Sequence, residues 1–132
     1  MTYAPKKFDS LLGTAGFSDT LLKNHFTLYE GYVKNVNALA EAFEKLQPGT
    51  PEYAELKRRF GWEWNGMRLH ELYFGNMTRL AEDGESRRAK ALENALTKFW
   101  GSTDAWLKDF KATGTMRGIG WTIRYPDLES QR

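Results

Sequence analysis

The chain has 132 residues, 41% of them hydrophobic and 14% aromatic, enough for one domain or for a small domain and part of another. With 19 Lys and Arg against 17 Asp and Glu, the net charge is only +2, so we expect neither a nucleic-acid nor a membrane partner. The lack of cysteine excludes disulfides and thiolate ligands, and the lack of a signal peptide or an apolar run of about 20 residues predicts a cytoplasmic protein.

The first long helix is predicted to follow an irregular lead-in over residues 1–17. Ser18 is a helix-capping residue and Asp19 places an acid in the first turn. Apolar and aromatic side chains then recur three or four positions apart, which keeps one stripe of a helix against a partner. The stripe consists of Leu22, His25, Tyr29, Tyr32, Val36, Leu39, Phe43 and Leu46. Pro48 and Gly49 predict its end.

A second long helix is predicted to begin after Thr50, with Pro51 at its first position. Its apolar stripe has the same spacing and one polar interruption at Glu63. The stripe consists of Tyr53, Leu56, Phe60, Met67, His70, Phe74 and Met77. Because the turn between the two helices is short, they should fold back as an antiparallel hairpin.

The last third of the chain predicts two shorter helices and a strand. The helices should cover 87–99 and the stretch from Ser102 to about residue 112, followed by a glycine-containing loop over 114–120. Residues 120–125 alternate as a strand does. Because a lone strand leaves its backbone unpaired, we expect its pairing strands on another chain or on a further segment.

The chain contains only two histidines, and both fall in the apolar stripes. His25 precedes Gln47 by 22 residues and His70 follows Pro51 by 19, so the hairpin should bring them to about the same level. Two converging imidazoles form half of a metal site, whereas a histidine on an apolar face is also a common core residue. The sequence leaves both interpretations open.

The sequence gives weaker indications that other side chains near the histidines belong to a metal site. Glu63 lies seven positions before His70 and is a poor third ligand, and Glu71, adjacent to His70, points to a different face. Tyr29 and Tyr32 follow His25 on its face, either as core aromatics or as phenols that bond metal-bound water. Trp121 is a candidate wall of the same cavity.

Three motifs carry a family resemblance. The first covers residues 18–37, where a His follows the helix-start Ser and is itself followed by Tyr-Val-x-Asn-x-Asn. Residues 70–76 match the pattern His-x-x-aromatic-aromatic-x-Asn. Residues 99–102 and 118–121 resemble a segment that ends in Gly-Ser-Gly-Trp. In this order and spacing, the motifs resemble those of the iron/manganese superoxide dismutase family over nearly the whole chain.

The resemblance implies an antioxidant oxidoreductase that disproportionates superoxide to dioxygen and hydrogen peroxide. His25 and His70 would bind one iron or manganese ion, Tyr32 would be the gateway tyrosine and Trp121 an active-site wall. Members are commonly homo-oligomers. The implied fold is α+β, mainly α within this chain. It comprises an N-terminal helical hairpin domain over 1–82, then the helical start and first strand of a partial C-terminal α+β domain over 83–132.

The chain departs from the family pattern in three ways. The spacing from His25 to Tyr32 is one residue shorter than usual, which leaves open whether Tyr29 or Tyr32 is the tyrosine near the metal. Gly66 stands where iron-type members often carry Gln and manganese-type members carry Gly. The Asp-x-x-x-His ligand pair is absent, so we expect a complementing C-terminal chain or segment to supply it.

Three hypotheses follow. The first is the N-terminal part of a superoxide dismutase that has negligible activity without the missing ligands. The second is a metal-free helical interaction module, or an inactive fragment, on the dismutase scaffold. The third is a carboxylate metal protein that uses Glu63 with the two histidines, in which Glu63→Gln would abolish metal binding.

Overall fold

The computed structural model describes residues 2–77, 87–127 and 129; for residues 87–89 it describes the backbone only. A short 3-10 helix, Asp9–Leu11, precedes four α-helices. These are α1 (Asp19–Phe43), α2 (Pro51–Gly75), α3 (Arg87–Trp100) and α4 (Thr103–Gly114). The chain divides into two compact units, residues 1–81 and 82–132.

The sequence correctly predicts where both long helices begin. The Ser18 hydroxyl accepts a hydrogen bond from the backbone N–H of Leu21, and the Thr50 hydroxyl accepts one from Tyr53. Each cap satisfies an N–H group that the first helical turn leaves without a partner. Gly49 adopts a φ of +89° in the connection between the helices, a conformation that favours glycine.

The two helices pack as the predicted antiparallel hairpin. Phe43 of α1 contacts Tyr53 of α2 near the turn, and Tyr29 of α1 bonds Glu71 near the far end. The buried apolar core of this unit consists of Leu11, Leu22, Tyr29, Val33, Val36, Met67 and Phe74. Burial of these side chains is the main driving force for the hairpin.

The N-terminal segment (residues 2–8) lies across both helices. The Asn37 side-chain amide forms two hydrogen bonds with the backbone of Tyr3, with its oxygen accepting at 2.8 Å and its nitrogen donating at 2.9 Å. The Tyr3 ring packs edge-on against Trp64, and the Phe8 ring contacts Phe74. The segment therefore covers one side of the hairpin.

A buried carboxylate links the middle of the two helices. The Glu63 side chain is only 2% exposed and accepts hydrogen bonds from Arg59 at 2.7 Å and from Asn35 at 3.1 Å. Arg59 also supplies the opposite charge, with Nη2 2.6 Å from the carboxylate. These contacts compensate for the cost of removing the charge from water.

We expect Arg59→Ala to destabilise the hairpin. It leaves the Glu63 charge buried with Asn35 as its remaining donor, and we expect a loss of about 2 kcal/mol, since Arg59 is itself 56% exposed and water will enter. Urea unfolding measures this. Arg58→Ala is the matched control, because Arg58 pairs with Glu55 at the exposed surface and should contribute little. Equal losses for both variants would contradict the prediction.

The second unit begins with the two predicted shorter helices. Ser102 caps α4 by accepting a hydrogen bond from the Ala105 N–H at 3.0 Å. Leu96 of α3 is fully buried. After α4, residues 121–127 contribute Ile123 and Tyr125 to a cleft of about 190 Å³ that is also lined by Trp106 and Phe110 of α4.

The strand expected over residues 120–125 does not form. This stretch has neither helix nor strand structure, and the described residues contain no strand anywhere. A strand needs the hydrogen-bond ladder of a neighbour, and none of the described segments provides one. The described part of the chain is therefore helical, and the α+β class is not met within it. In the same residues no helix is both long and apolar enough to cross a membrane.

Candidate metal centre

The hairpin brings the two histidines together. His25 lies near the start of α1 and His70 near the end of α2, and their ring centroids are 4.9 Å apart with the planes at 87°. This is the juxtaposition that their distances from the turn predict. Two imidazoles that bind one ion through metal–nitrogen bonds of about 2.1 Å have centroids roughly 4.5–5.5 Å apart. The observed spacing therefore fits a shared ion, and it equally fits an edge-to-face ring contact in a core.

The surroundings of His70 favour the tautomer that a ligand needs. His70 is 4% exposed, and its Nδ1 lies 2.6 Å from the backbone carbonyl of Gly66, to which the neutral ring donates when its proton is on Nδ1. The lone pair is then on Nε2. Histidines that bind metals commonly donate their other ring N–H to a backbone carbonyl in this way.

His25 is partly buried against aromatic rings. Its centroid lies 5.3 Å from that of Tyr73 and 5.0 Å from that of Phe74. Burial lowers the pKa of His25, and the positive charge of a protonated His70 lowers it further. The neutral imidazole, which is the form that binds metals, is thereby favoured.

The two tyrosines of α1 differ in what they contact. The Tyr32 ring lies 5.2 Å from the His70 ring, at 33°, and covers Gly66. The Tyr29 ring is 6.5 Å from His70, and its hydroxyl bonds the backbone of Lys6 and the carboxylate of Glu71. Burial raises the pKa of Tyr29, and the Glu71 charge adds to this while the Lys6 N–H opposes it. Tyr32 is thus the tyrosine whose ring lies closer to His70.

The neighbouring carboxylates are occupied by other groups. Glu63 bonds Arg59 and Asn35, and Glu71 bonds Lys6, Arg68 and Tyr29. Burial acts to raise the pKa of Glu71, but the hydrogen bonds from Lys6, Arg68 and Tyr29 and the charge of Lys6 outweigh it, so the pKa is lowered.

Among the described residues, no three His, Cys, Asp or Glu side chains cluster closely enough to hold a metal ion. Glu63 therefore does not join the two imidazoles. His25 and His70 fit half of a metal site, and no further His, Cys, Asp or Glu side chain joins them among the described residues.

Trp121 lies in the other unit, in the stretch after α4 that is neither helix nor strand, and is 39% exposed. Its role as a wall of the metal cavity stays a prediction.

The sequence did not predict the contacts of Lys6 with Tyr29 and Glu71 beside the imidazole pair. A lysine in an irregular lead-in has no periodic or motif signal, and its Tyr29 partner is 23 positions away.

Known proteins resemble this chain over most of its length. It is 32% identical to superoxide dismutase (Fe) of Saccharolobus solfataricus, over an alignment that covers 96% of this chain and 62% of the relative. It is also 32% identical to superoxide dismutase (Fe) of Aquifex pyrophilus, covering 89% of this chain and 57% of that protein.

A more distant relative is the mitochondrial superoxide dismutase (Mn) of Glossina morsitans morsitans. The identity there is 24%, over 78% of this chain and 47% of the relative. The chain thus spans about half to three fifths of the length of these curated relatives. No protein-family model matches it.

Proposed function

Because this chain belongs to the iron/manganese superoxide dismutase family, we propose that it contributes two ligands to a metal centre that disproportionates superoxide. Two superoxide anions and two protons give one dioxygen and one hydrogen peroxide. The observation that carries the proposal is the imidazole pair, with centroids 4.9 Å apart and His70 Nδ1 directed to a backbone carbonyl.

We propose His25 and His70 as ligands of one iron or manganese ion. When bound, the ion supplies the one-electron chemistry by alternating between its 3+ and 2+ states. The family resemblance implies that the remaining donors are the Asp and His of the Asp-x-x-x-His pair, and carboxylate oxygen suits both metals. We propose that a C-terminal segment or a complementing chain supplies them and completes an α+β fold.

The chain's own residues would position the ligands. The Gly66 carbonyl holds the proton of His70 on Nδ1, so that Nε2 keeps its lone pair. Tyr73 and Phe74 pack against His25 and restrict the motion of its ring. These contacts favour one arrangement of the two imidazoles, which reduces the reorganisation needed at the centre.

Tyr32 is our candidate for the gateway tyrosine, and Trp121 for a wall of the cavity. The support for Tyr32 is its ring contact with His70, whereas the support for Trp121 is the family motif alone. The Tyr32 hydroxyl would hold or pass on a proton at Oη as peroxide forms. We further propose a cytoplasmic homo-oligomer, as the resemblance and composition suggest.

A metal-free interaction module, or an inactive fragment, is the second candidate function. It is favoured by the lack of a third metal donor beside the imidazole pair in the described parts of the chain. In that case the two histidines are core aromatics, and their edge-to-face contact contributes only packing energy.

Metal content distinguishes the two candidates. We expect elemental mass spectrometry of the protein, isolated together with the C-terminal segment or chain that completes the site, to find close to one iron or manganese per site, together with superoxide consumption. This chain without that segment should have negligible activity. A ratio near zero for both metals would overturn the dismutase proposal and favour the metal-free module. Reading iron and manganese separately also identifies the metal.

A further inference from the structure

The imidazole pair is braced by a polar cluster that joins three parts of the first unit. We infer that Tyr29 and Glu71 are positioning residues, which hold the helix turns carrying His25 and His70 in register. We call Lys6, Tyr29, Arg68 and Glu71 the tyrosine–glutamate clamp. The inference rests on the proposed function, because it concerns the same two imidazoles.

The hydrogen bonds of the clamp form a closed ring. The backbone N–H of Lys6 donates to the Tyr29 hydroxyl at 3.0 Å, and that hydroxyl donates to Glu71 Oε1 at 3.2 Å. The Lys6 ammonium then lies 3.0 Å from Glu71 Oε2, which returns the ring to its starting residue. The ring thus ties the N-terminal segment to α1 and to α2 at once.

The position of the clamp along the helices gives it influence over the imidazoles. Tyr29 follows His25 by one turn of α1, and Glu71 directly follows His70 on α2. A hydrogen bond between them restricts how far the two helices can slide or rotate against each other next to the paired rings. Outer contacts that orient metal-binding histidines are known to affect metal affinity strongly.

The clamp is itself held rigidly. Tyr29 is 1% exposed, so its phenol has few alternative orientations. Arg68 binds Glu71 at 2.8 Å while its guanidinium lies over the Trp64 ring, 4.9 Å from the centroid. This stacking limits the motion of the arginine, so the carboxylate meets a fixed partner.

A second inter-helix contact provides a matched control. Asn35 of α1 donates to Glu63 of α2 at 3.1 Å, and Glu63 is also paired with an arginine of its own helix. Both contacts join an α1 donor to an α2 carboxylate; Glu63 is buried, and the Glu71 side chain is 9% exposed. Of the two contacts, only the one made by Tyr29 lies beside the imidazole pair. A variant without the Asn35 amide therefore shows what a general loosening of the hairpin does to the two imidazoles.

The first experiment records the imidazole Hε1 signals of the full chain without metal, by NMR, at a temperature where melting curves show each variant folded. Tyr29→Phe keeps the aromatic ring but removes the hydroxyl, and we expect both imidazole signals to move or broaden. Asn35→Ala should leave them unchanged. The inference is overturned if Tyr29→Phe leaves the signals in place, or if Asn35→Ala moves them as far.

The second experiment titrates the same proteins with Co²⁺ and follows its visible absorption. We expect Tyr29→Phe to weaken the affinity by about tenfold. Glu71→Gln, which still offers an acceptor to Tyr29, should lose less affinity than Glu71→Leu. Equal losses for these two Glu71 variants would count against the clamp. No histidine-dependent Co²⁺ binding by the unsubstituted chain would instead overturn the metal function, and the imidazole signals would still decide the clamp.

Discussion

Replacing either histidine by alanine should weaken binding of the metal by at least about a hundredfold. Loss of an outer partner of a ligand already costs about 10–100-fold in affinity, and each substitution here removes one of the two proposed ligands. His25→Ala is the cleaner variant, because His25 is only partly buried. Isothermal titration with Mn²⁺ or Co²⁺ measures the loss.

The control for this prediction is Asn24→Ala. Asn24 precedes His25 on α1 and is exposed, so the helix surface changes while the imidazole pair does not. His70→Ala also removes a buried ring, and His70→Gln retains more of its volume for comparison. Unchanged affinity in both histidine variants would show that the two rings are core residues and not ligands.

Local sequence rules predicted the helical hairpin well. Ser18 and Thr50 cap their helices as expected, because a side-chain oxygen at this position satisfies a nearby backbone N–H. The meeting of His25 and His70 was predictable for a related reason. Once the turn near Gly49 is fixed, the constant rise of a helix sets which residues face each other.

Contacts between distant segments were not predictable from these rules. The bond from Tyr29 to Glu71 and the bond from Lys6 to Tyr29 depend on how an irregular segment crosses the helices. The sequence also left open which tyrosine faces the imidazoles. The structure orients the Tyr29 hydroxyl towards Lys6 and Glu71, while the Tyr32 ring lies against His70.

The strand expected over residues 120–125 illustrates a different limit. Its alternating pattern indicates a preference for extended backbone, but a strand exists only with a neighbour that completes its hydrogen bonds. The pattern is local and the pairing is not. Two further points likewise stay predictions: the domain boundary between residues 82 and 83, and the role of Trp121 as an active-site wall.

Gly66→Ala should destabilise the hairpin, although alanine is normally the better helix residue. A Cβ added at Gly66 would lie 2.8 Å from Cγ of Tyr32 and still closer to its Cδ1, so the ring would have to leave its position over His70. We expect a net loss of about 2 kcal/mol in the free energy of unfolding, since overpacking outweighs the gain in helix propensity. Urea unfolding shows directly whether the free energy of unfolding falls or rises.

Gly61→Ala is the matched control and should have the opposite sign. It lies in the same helix, nothing lies within 4 Å of its added Cβ, and we expect a gain of about 0.5–1 kcal/mol. In a Tyr32→Ala background the obstruction is gone, so Gly66→Ala should then also be stabilising. If Gly66→Ala remains as costly in that background, Tyr32 is not what requires glycine. If the cost disappears, glycine is required at position 66 for Tyr32 to stay against His70. A Gln at position 66 would then also displace Tyr32, because its Cβ would occupy the same place.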